Sequence, residues 1–271
     1  MSLPLSLEHR LNAEVDPAFS ARARFILERV NELKPKSILD AGCGRGFYSS
    51  SFCEIKNIKK IVGIDLREKY LEKARRFIKD PRLTFQQADI YKLPFKENSF
   101  DCIVSSEVME HLPDDVKALK ALHKITKKGG TLIISVPNAN YPFLWDPLNW
   151  LLEKVFHTHV NKDIWWLAGI WADHVRLYTL DQITKAAKSA GWKVVTTKSV
   201  IHYSWPFAHF WLYGVGKNIV ERLGSDTFNR FTTQRKPISE FLSKVMAFPS
   251  TFDPKNMNNV SSVDLIVELR K

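Results

Sequence analysis

The stretch "SSEVMEHLPDD", residues 105–115, crowds two carboxylates and an imidazole together as Glu107, Glu110 and His111. On a helical turn these offsets are i, i+3 and i+4, which lets all three side chains face one point. Three chemistries are open to such a set. Two carboxylates and an imidazole make a half-shell for a borderline divalent cation. The imidazole of His111 alone is a general base, better matched to an acidic phenol or enol than to an alcohol. The same residues can also simply open a helix, whose N-terminus favours carboxylates. A metal would need a further ligand, and His174 in "WADHVRLYTLDQI" is the candidate, because it falls just before a later helix signal.

A second group of residues sits upstream. "SILDAGCGRGFYSS" sets Asp40 at the close of an apolar run and then Gly42, Gly44 and Gly46 at alternate positions. Glycines there permit a tight turn and close backbone approach to a ligand, with the N–H groups of the next helix nearby. Asp65 closes the run "IVGIDL" beside Leu66, where a carboxylate can accept both hydroxyls of a ribose. Asp89 and Ile90 in "QQADIYKLPF" offer a carboxylate to an exocyclic amine and a backbone N–H to a ring nitrogen. Nothing here cradles a pyrophosphate, and Asp40 would repel one. A cofactor with ribose, adenine and a cationic or zwitterionic tail fits better.

The elements that must hold these residues follow from periodicity. Asp16-Pro17 reads as an N-cap followed by proline at the first helical position, and Phe25, Ile26, Val30 and Leu33 continue a helix that ends before Pro35. Short apolar runs at 37–40, 60–65, 83–87, 101–105 and 131–136 alternate with helical stretches, among them "REKYLEKARRFIKD" and "DDVKALKALHKITKKGG", the latter ending at its glycine pair. Nearly continuous apolar strands alternating with helices predict an α/β, Rossmann-like parallel sheet with helices on both faces. After Pro137 the pattern breaks for residues 138–173, resumes as a capped helix and strand in "TLDQITKAAKSAGWKVVTTKSV", breaks again over 202–260, and closes on a strand at 262–270. The economical reading is a single domain over 1–271 with two aromatic-rich insertions forming a substrate lid or cap.

At this point a resemblance applies. "LDAGCGRG", "VGIDL", "ADIYKLPF", "FDCIVSSEVMEHL" and "GGTLIISVPN" resemble, in order and spacing, the motifs of class I S-adenosylmethionine-dependent methyltransferases, over about residues 20–137 and more loosely over 174–201. The resemblance implies a seven-stranded sheet with an antiparallel last strand at 262–270. It implies S-adenosylmethionine as cofactor and S-adenosylhomocysteine as product. Asp40 and the loop Gly42, Gly44, Gly46 would hold the methionine portion, Asp65 with Leu66 the ribose, and Asp89 with Ile90 the adenine, with Glu107 on the cofactor side. The E-x-x-E-H pattern is similar to that of the catechol O-methyltransferases of ubiquinone synthesis and of the small-RNA 3′-terminal 2′-O-methyltransferases. It leaves His111, Glu110 and His174 as catalytic candidates without metal, or Glu107, Glu110, His111 and His174 as ligands of a divalent ion, the less favoured alternative.

Composition narrows the class without choosing an acceptor. The 271 residues carry a formal charge of +11, spread without a long basic run, which raises nucleic acid or an anionic membrane as partners without selecting either. Three cysteines without framework spacing and no secretion signal in "MSLPLSLEHR" suit a cytoplasmic protein. The first insertion holds Trp145, Trp150, Trp165, Trp166 and Trp171, and "WPFAHFWLYGVG" repeats the theme. Such segments bury a hydrophobic substrate, touch a membrane peripherally, or form a satellite core. The expected activity is therefore O- or C-methylation of a hydrophobic small molecule or lipid-like acceptor. The alternatives are a metal-dependent RNA 2′-O-methyltransferase and a non-catalytic cofactor-binding protein, with nucleic acid the less favoured partner.

Overall fold

The computed structural model describes residues 2–164, 166–216, 237–254 and 261–271. Trp165 and much of the second insertion therefore lie outside the described residues. Five strands run parallel in the first half of the sheet: β1 (Ser37–Ala41), β2 (Lys60–Asp65), β3 (Leu83–Gln87), β4 (Phe100–Ser106) and β5 (Thr126–Pro137). With β6 (Lys193–Val200) and β7 (Asp264–Arg270) they form a seven-stranded sheet in the order β3-β2-β1-β4-β5-β7-β6, and β7 is antiparallel to both its neighbours. This is the expected Rossmann-like α/β sheet.

Successive residues of a strand point to opposite faces, and here both faces are covered. Ile38, Ile61, Cys102, Val104 and Ile133 share a core with α1 (Leu5–Asn12), α2 (Pro17–Leu33) and α3 (Phe47–Cys53). Leu39, Val62, Ile103, Leu132 and Ile134 pack on the other side with α5 (Asp115–Ile125) and α7 (Leu180–Ser189), while α4 (Glu68–Phe77) covers β2 and β3 through Leu71 and Ala74.

The cap of α2 is as its sequence demands: the Asp16 side chain accepts from the backbone N–H groups of Ala18 and Phe19 at 3.0 and 3.1 Å, with Pro17 in the first turn. Two local expectations are corrected. Helix α1 is additional, anchored by buried Leu7 and Leu11 one turn apart but lacking a side-chain cap that would announce it. Helix α5 stops at Ile125, ahead of the glycine pair, which lies instead within β5. A Cβ on Gly130 would lie 2.8 Å from the carbonyl oxygen of Lys127, so the pair serves a tight irregularity inside β5, where the register against β4 shifts.

The segment 138–173 leaves β5 through a parallel bridge between Asn138 and Tyr178 and contains α6 (Pro147–Phe156) and a short turn at Gly169–Trp171. Buried Tyr141, Trp145 and Ile170 tie it to the core shared with α2. The described part of 202–260 contains a π-helical segment, Phe210–Gly216, a helix, Pro237–Ala247, and a turn, Phe248–Phe252.

Candidate active site

Parallel strands bring their C-terminal ends to one edge, which is where the sequence-derived candidates collect. Gly42, Gly44 and Gly46 all adopt positive φ, at 83°, 53° and 88°. A Cβ on Gly42 would meet Val108 Cγ2 at 2.3 Å, whereas one on Gly44 would meet nothing within 4 Å. Gly42 is thus required for packing, and Gly44 faces open space where a ligand can lie.

The acidic residues divide by burial. Asp40 is buried, and its Oδ2 accepts both the backbone N–H and the hydroxyl of Ser49, at 2.9 and 2.6 Å, tying the glycine loop to α3. Burial, against these two bonds and with some help from Asp65, pushes its carboxyl up to about 7. Asp65 accepts from the Gly44 N–H and the Arg67 N–H, both at 2.8 Å, so it braces the loop and lies beside it; Leu66 next to it is exposed. Asp89 accepts from the Tyr91 N–H at 2.9 Å, and Ile90 is buried in the core beneath.

At the exit of β4 the structure separates residues that a single helical turn would have joined. Glu107 has φ 57° and precedes the 3-10 turn Met109–His111, so it does not share a face with the other two. Its Oε1 accepts from the Ser135 hydroxyl at 3.1 Å and its Oε2 lies 3.5 Å from the Arg22 guanidinium. Arg22, on α2, also pairs with buried Asp264 of β7. Burial pulls the guanidinium down, but Asp264 and Glu107 more than offset it, so Arg22 stays charged. The four-residue ligand set is corrected accordingly: the metal-capable cluster among the described residues is Glu110, His111 and His174, with ligand atoms within 4.8 Å of one another, and Glu107 is not part of it.

His174 does reach the mouth, because its segment is strapped to the β4 exit. The Val175 N–H donates to the Glu110 carbonyl at 2.9 Å, Arg176 donates to the Pro113 carbonyl at 2.7 Å, and the Tyr178 hydroxyl donates to Asp115 at 2.8 Å. Nδ1 of His111 donates to the Asp173 carbonyl at 2.9 Å and Nδ1 of His174 to the Ile170 carbonyl at 2.6 Å. Since a carbonyl can only accept, each neutral ring carries its proton on Nδ1 and leaves Nε2 as an acceptor. These two Nε2 atoms lie 3.7 and 4.0 Å from Glu110 Oε1, beyond hydrogen-bonding reach.

Glu110 is fully buried and neither carboxylate oxygen has a hydrogen-bond partner. Burial, reinforced by the charge of Glu107, raises its carboxyl well above the usual range, while burial lowers His174 to about 4. Glu110 thus presents a protonated carboxyl to two imidazole lone pairs just outside hydrogen-bonding reach. One carboxyl and two imidazoles also form a donor set that fits a borderline divalent ion, whose charge would favour the ionised carboxylate.

Next to this cluster is a cavity of about 200 Å³ between the insertions, lined chiefly by Trp145, Leu148, Trp166, Phe207 and Phe210, with Asp146 and His209. Ile170 links the two: its N–H donates at 2.9 Å to Asp146, which lines the cavity, while its carbonyl accepts from His174. Sequence reasoning missed Arg22, Arg176 and His209. Arg22 carried one usable signal, a lone arginine among the buried positions of an amphipathic helix; the other two had none.

Residues 39–134 match the family of the methyltransferase domain. The chain is 33% identical over 106 residues to an uncharacterized methyltransferase of Schizosaccharomyces pombe, covering 36% of this chain and 38% of that protein. It is 31% identical over 122 residues to the ubiquinone biosynthesis O-methyltransferase of Coxiella burnetii, covering 44% of this chain and 51% of that one. The matched stretches thus span about half or less of these relatives' lengths. A solved structure of a putative methyltransferase from Bacillus halodurans shares the fold, with a TM-score of 0.54 at 19% identity over 91% of this chain and 97% of the other.

Proposed function

We propose that this chain, which carries a class I S-adenosylmethionine-dependent methyltransferase domain, transfers a methyl group to an acidic oxygen or carbon on a hydrophobic, lipid-like small molecule. The observation that supports this most is the backbone link through Ile170, which donates to Asp146 on the wall of the aromatic cavity and accepts from His174 of the Glu110–His111–His174 cluster. An acceptor whose apolar body fills that cavity would be brought toward the cluster by this link.

S-Adenosylmethionine supplies an electrophilic methyl on sulfonium, and its C–S bonding pair stays with sulfur as S-adenosylhomocysteine leaves. Asp65 and Asp89 orient the nucleoside, and Gly44 leaves room for the methionine portion. Nε2 of His111, whose ring is fixed by its Nδ1 bond to Asp173, takes the acceptor's proton as the acceptor's electron pair forms the new bond to the methyl carbon. The aromatic walls exclude water from that transfer.

One observation favours a metal-assisted version: Glu110, His111 and His174 bring a carboxyl oxygen and two imidazole nitrogens within 4.8 Å of one another. Glu110, His111 and His174 would hold the ion, whose positive charge would favour a deprotonated acceptor hydroxyl. Incubation with labelled S-adenosylmethionine and separated lipid, RNA and small-molecule fractions, with and without chelator, tests both readings. Label in a lipid or apolar small-molecule fraction is expected; loss of that label with chelator selects the metal version, and label in RNA alone would overturn the proposal.

A further inference from the structure

The two insertion helices each turn a stripe of apolar side chains outward while enclosing polar ones. In α6 the buried side chains include Asn149, fully enclosed by bonds to Asp146 and to the Ala168 carbonyl, while Leu151, Val155 and Phe156 face solvent. In the helix Pro237–Ala247 the inward residues are Ser239, Ser243 and the partly buried Met246, Ser243 donating to the Asn12 carbonyl at 2.7 Å, while Phe241 is 65% exposed and Val245, with Phe248 in the turn that follows, is also outward. A helix facing water places these residues the other way round. One exposed phenylalanine is ordinary, whereas two neighbouring helices that each carry a hydrophobic stripe on the outer face are not.

Each outward stripe carries the same insert. Lys154 lies three positions after Leu151 and one before Val155; Lys244 lies three after Phe241 and one before Val245, so each exposed lysine shares its helix face with the apolar residues. Carboxylates are absent from both stripes. Contacts join the two helices' surroundings: the His209 N–H donates to the Trp145 carbonyl, and Trp205 donates to the Val245 carbonyl and stacks on Phe248. Among the described residues no helix is long and apolar enough to cross a membrane.

We propose that these two faces dock the protein onto an anionic lipid bilayer, the apolar stripes entering the acyl boundary while Lys154 and Lys244 reach back to lipid phosphates. Lysine stems can lie along apolar surface with the ammonium at the headgroups, and the chain's +11 charge complements an anionic leaflet. The inference deepens the lipid-like acceptor reading: the cavity lined by Phe207 and Phe210 opens between the docking insertions, so the acceptor would enter from the bilayer.

The test is co-sedimentation of the full chain with phosphatidylcholine vesicles, with and without phosphatidylserine, alongside light scattering and S-adenosylmethionine calorimetry. Binding to the anionic vesicles is expected, with loss in a Phe241→Ser/Phe248→Ser variant and a roughly 10- to 30-fold weakening in Lys154→Ala/Lys244→Ala. All four side chains are exposed, and unchanged cofactor affinity reports that the variants remain folded. No binding to either vesicle, or binding unaffected by both variants, overturns the proposal. A dimer abolished by Phe241→Ser/Phe248→Ser in place of vesicle binding would assign the face to a second copy and overturn it too. Docking without methylation of any lipid would leave the surface standing and remove the acceptor reading; methylation of an apolar acceptor without docking would do the reverse.

Discussion

The buried carboxyl of Glu110 faces the Nε2 of His174 across 4.0 Å, just beyond hydrogen-bonding reach. The pair is held by backbone straps from the 173–176 segment rather than by its own attraction. Such an arrangement suggests a residue set kept for a ligand, and it can be tested.

Replacing Glu110 by Gln supplies an amide donor to the two imidazole lone pairs at nearly constant volume. Thermal unfolding is expected to be unchanged or shifted upward, while label transfer falls by at least ~10²-fold. A destabilised Gln variant would mean that the carboxylate is structural.

Stability should fall in acid through His174. Its pKa is lowered in the fold to about 4, chiefly by burial and then by the neighbouring His111, against an ordinary value of 6.5. The unfolded chain therefore binds the extra proton first, and the stabilisation present above pH 6.5 is lost as pH falls toward 4. Urea unfolding of His174→Asn should show a flatter profile over that window, with some slope remaining from His209, which burial shifts in the same direction.

Cofactor binding should release a proton near neutrality. With its carboxyl at about 7, Asp40 is partly protonated in the free protein, and a sulfonium held against the glycine loop favours its ionised form. Calorimetry in buffers of different ionisation enthalpy should detect release with S-adenosylmethionine, less with uncharged-sulfur S-adenosylhomocysteine, and none in Asp40→Asn.

Two neighbouring glycines should fail differently. Gly42→Ala drives a methyl into Val108 in addition to adopting φ 83°, and should cost about 2–4 kcal/mol in stability. Gly44→Ala meets no atom and carries only the left-handed strain of about 1–2 kcal/mol, so it should remain folded while losing cofactor affinity. Paired denaturation and cofactor titrations separate the two.

Arg22→Met should destabilise the protein by about 3–5 kcal/mol, since it strands the carboxylate of Asp264 in the interior and removes the partner of Glu107. Chemical denaturation measures this directly. A loss under about 1 kcal/mol would mean that the pair is better solvated than its burial implies.

The sheet was legible because its signals are local. Unbroken apolar runs of strand length, the Asp16-Pro17 cap and acidic residues at strand ends each have one inexpensive conformation, and β2 and β3 occupy the very residues 60–65 and 83–87 that the pattern marks. The α5 terminus was misplaced because a glycine pair serves equally for a helix stop and for a tight irregularity within a strand, as in β5.

The sequence by itself therefore determined the alternation of strands and helices, the cofactor edge and the cluster's constituents, since all depend on period, propensity and motif order within short stretches. Only the tertiary structure decided which of them act together. Glu107 looked like the partner of Glu110, yet a left-handed backbone turns it toward Arg22 and Ser135, while His174 is brought in from beyond the first insertion by bonds from Val175 and Arg176. Such pairings depend on where distant segments are tied, and helical spacing carries no information about that. The outward phenylalanines were equally invisible, because hydrophobicity marks a residue as apolar but only packing says which side of a helix meets the core.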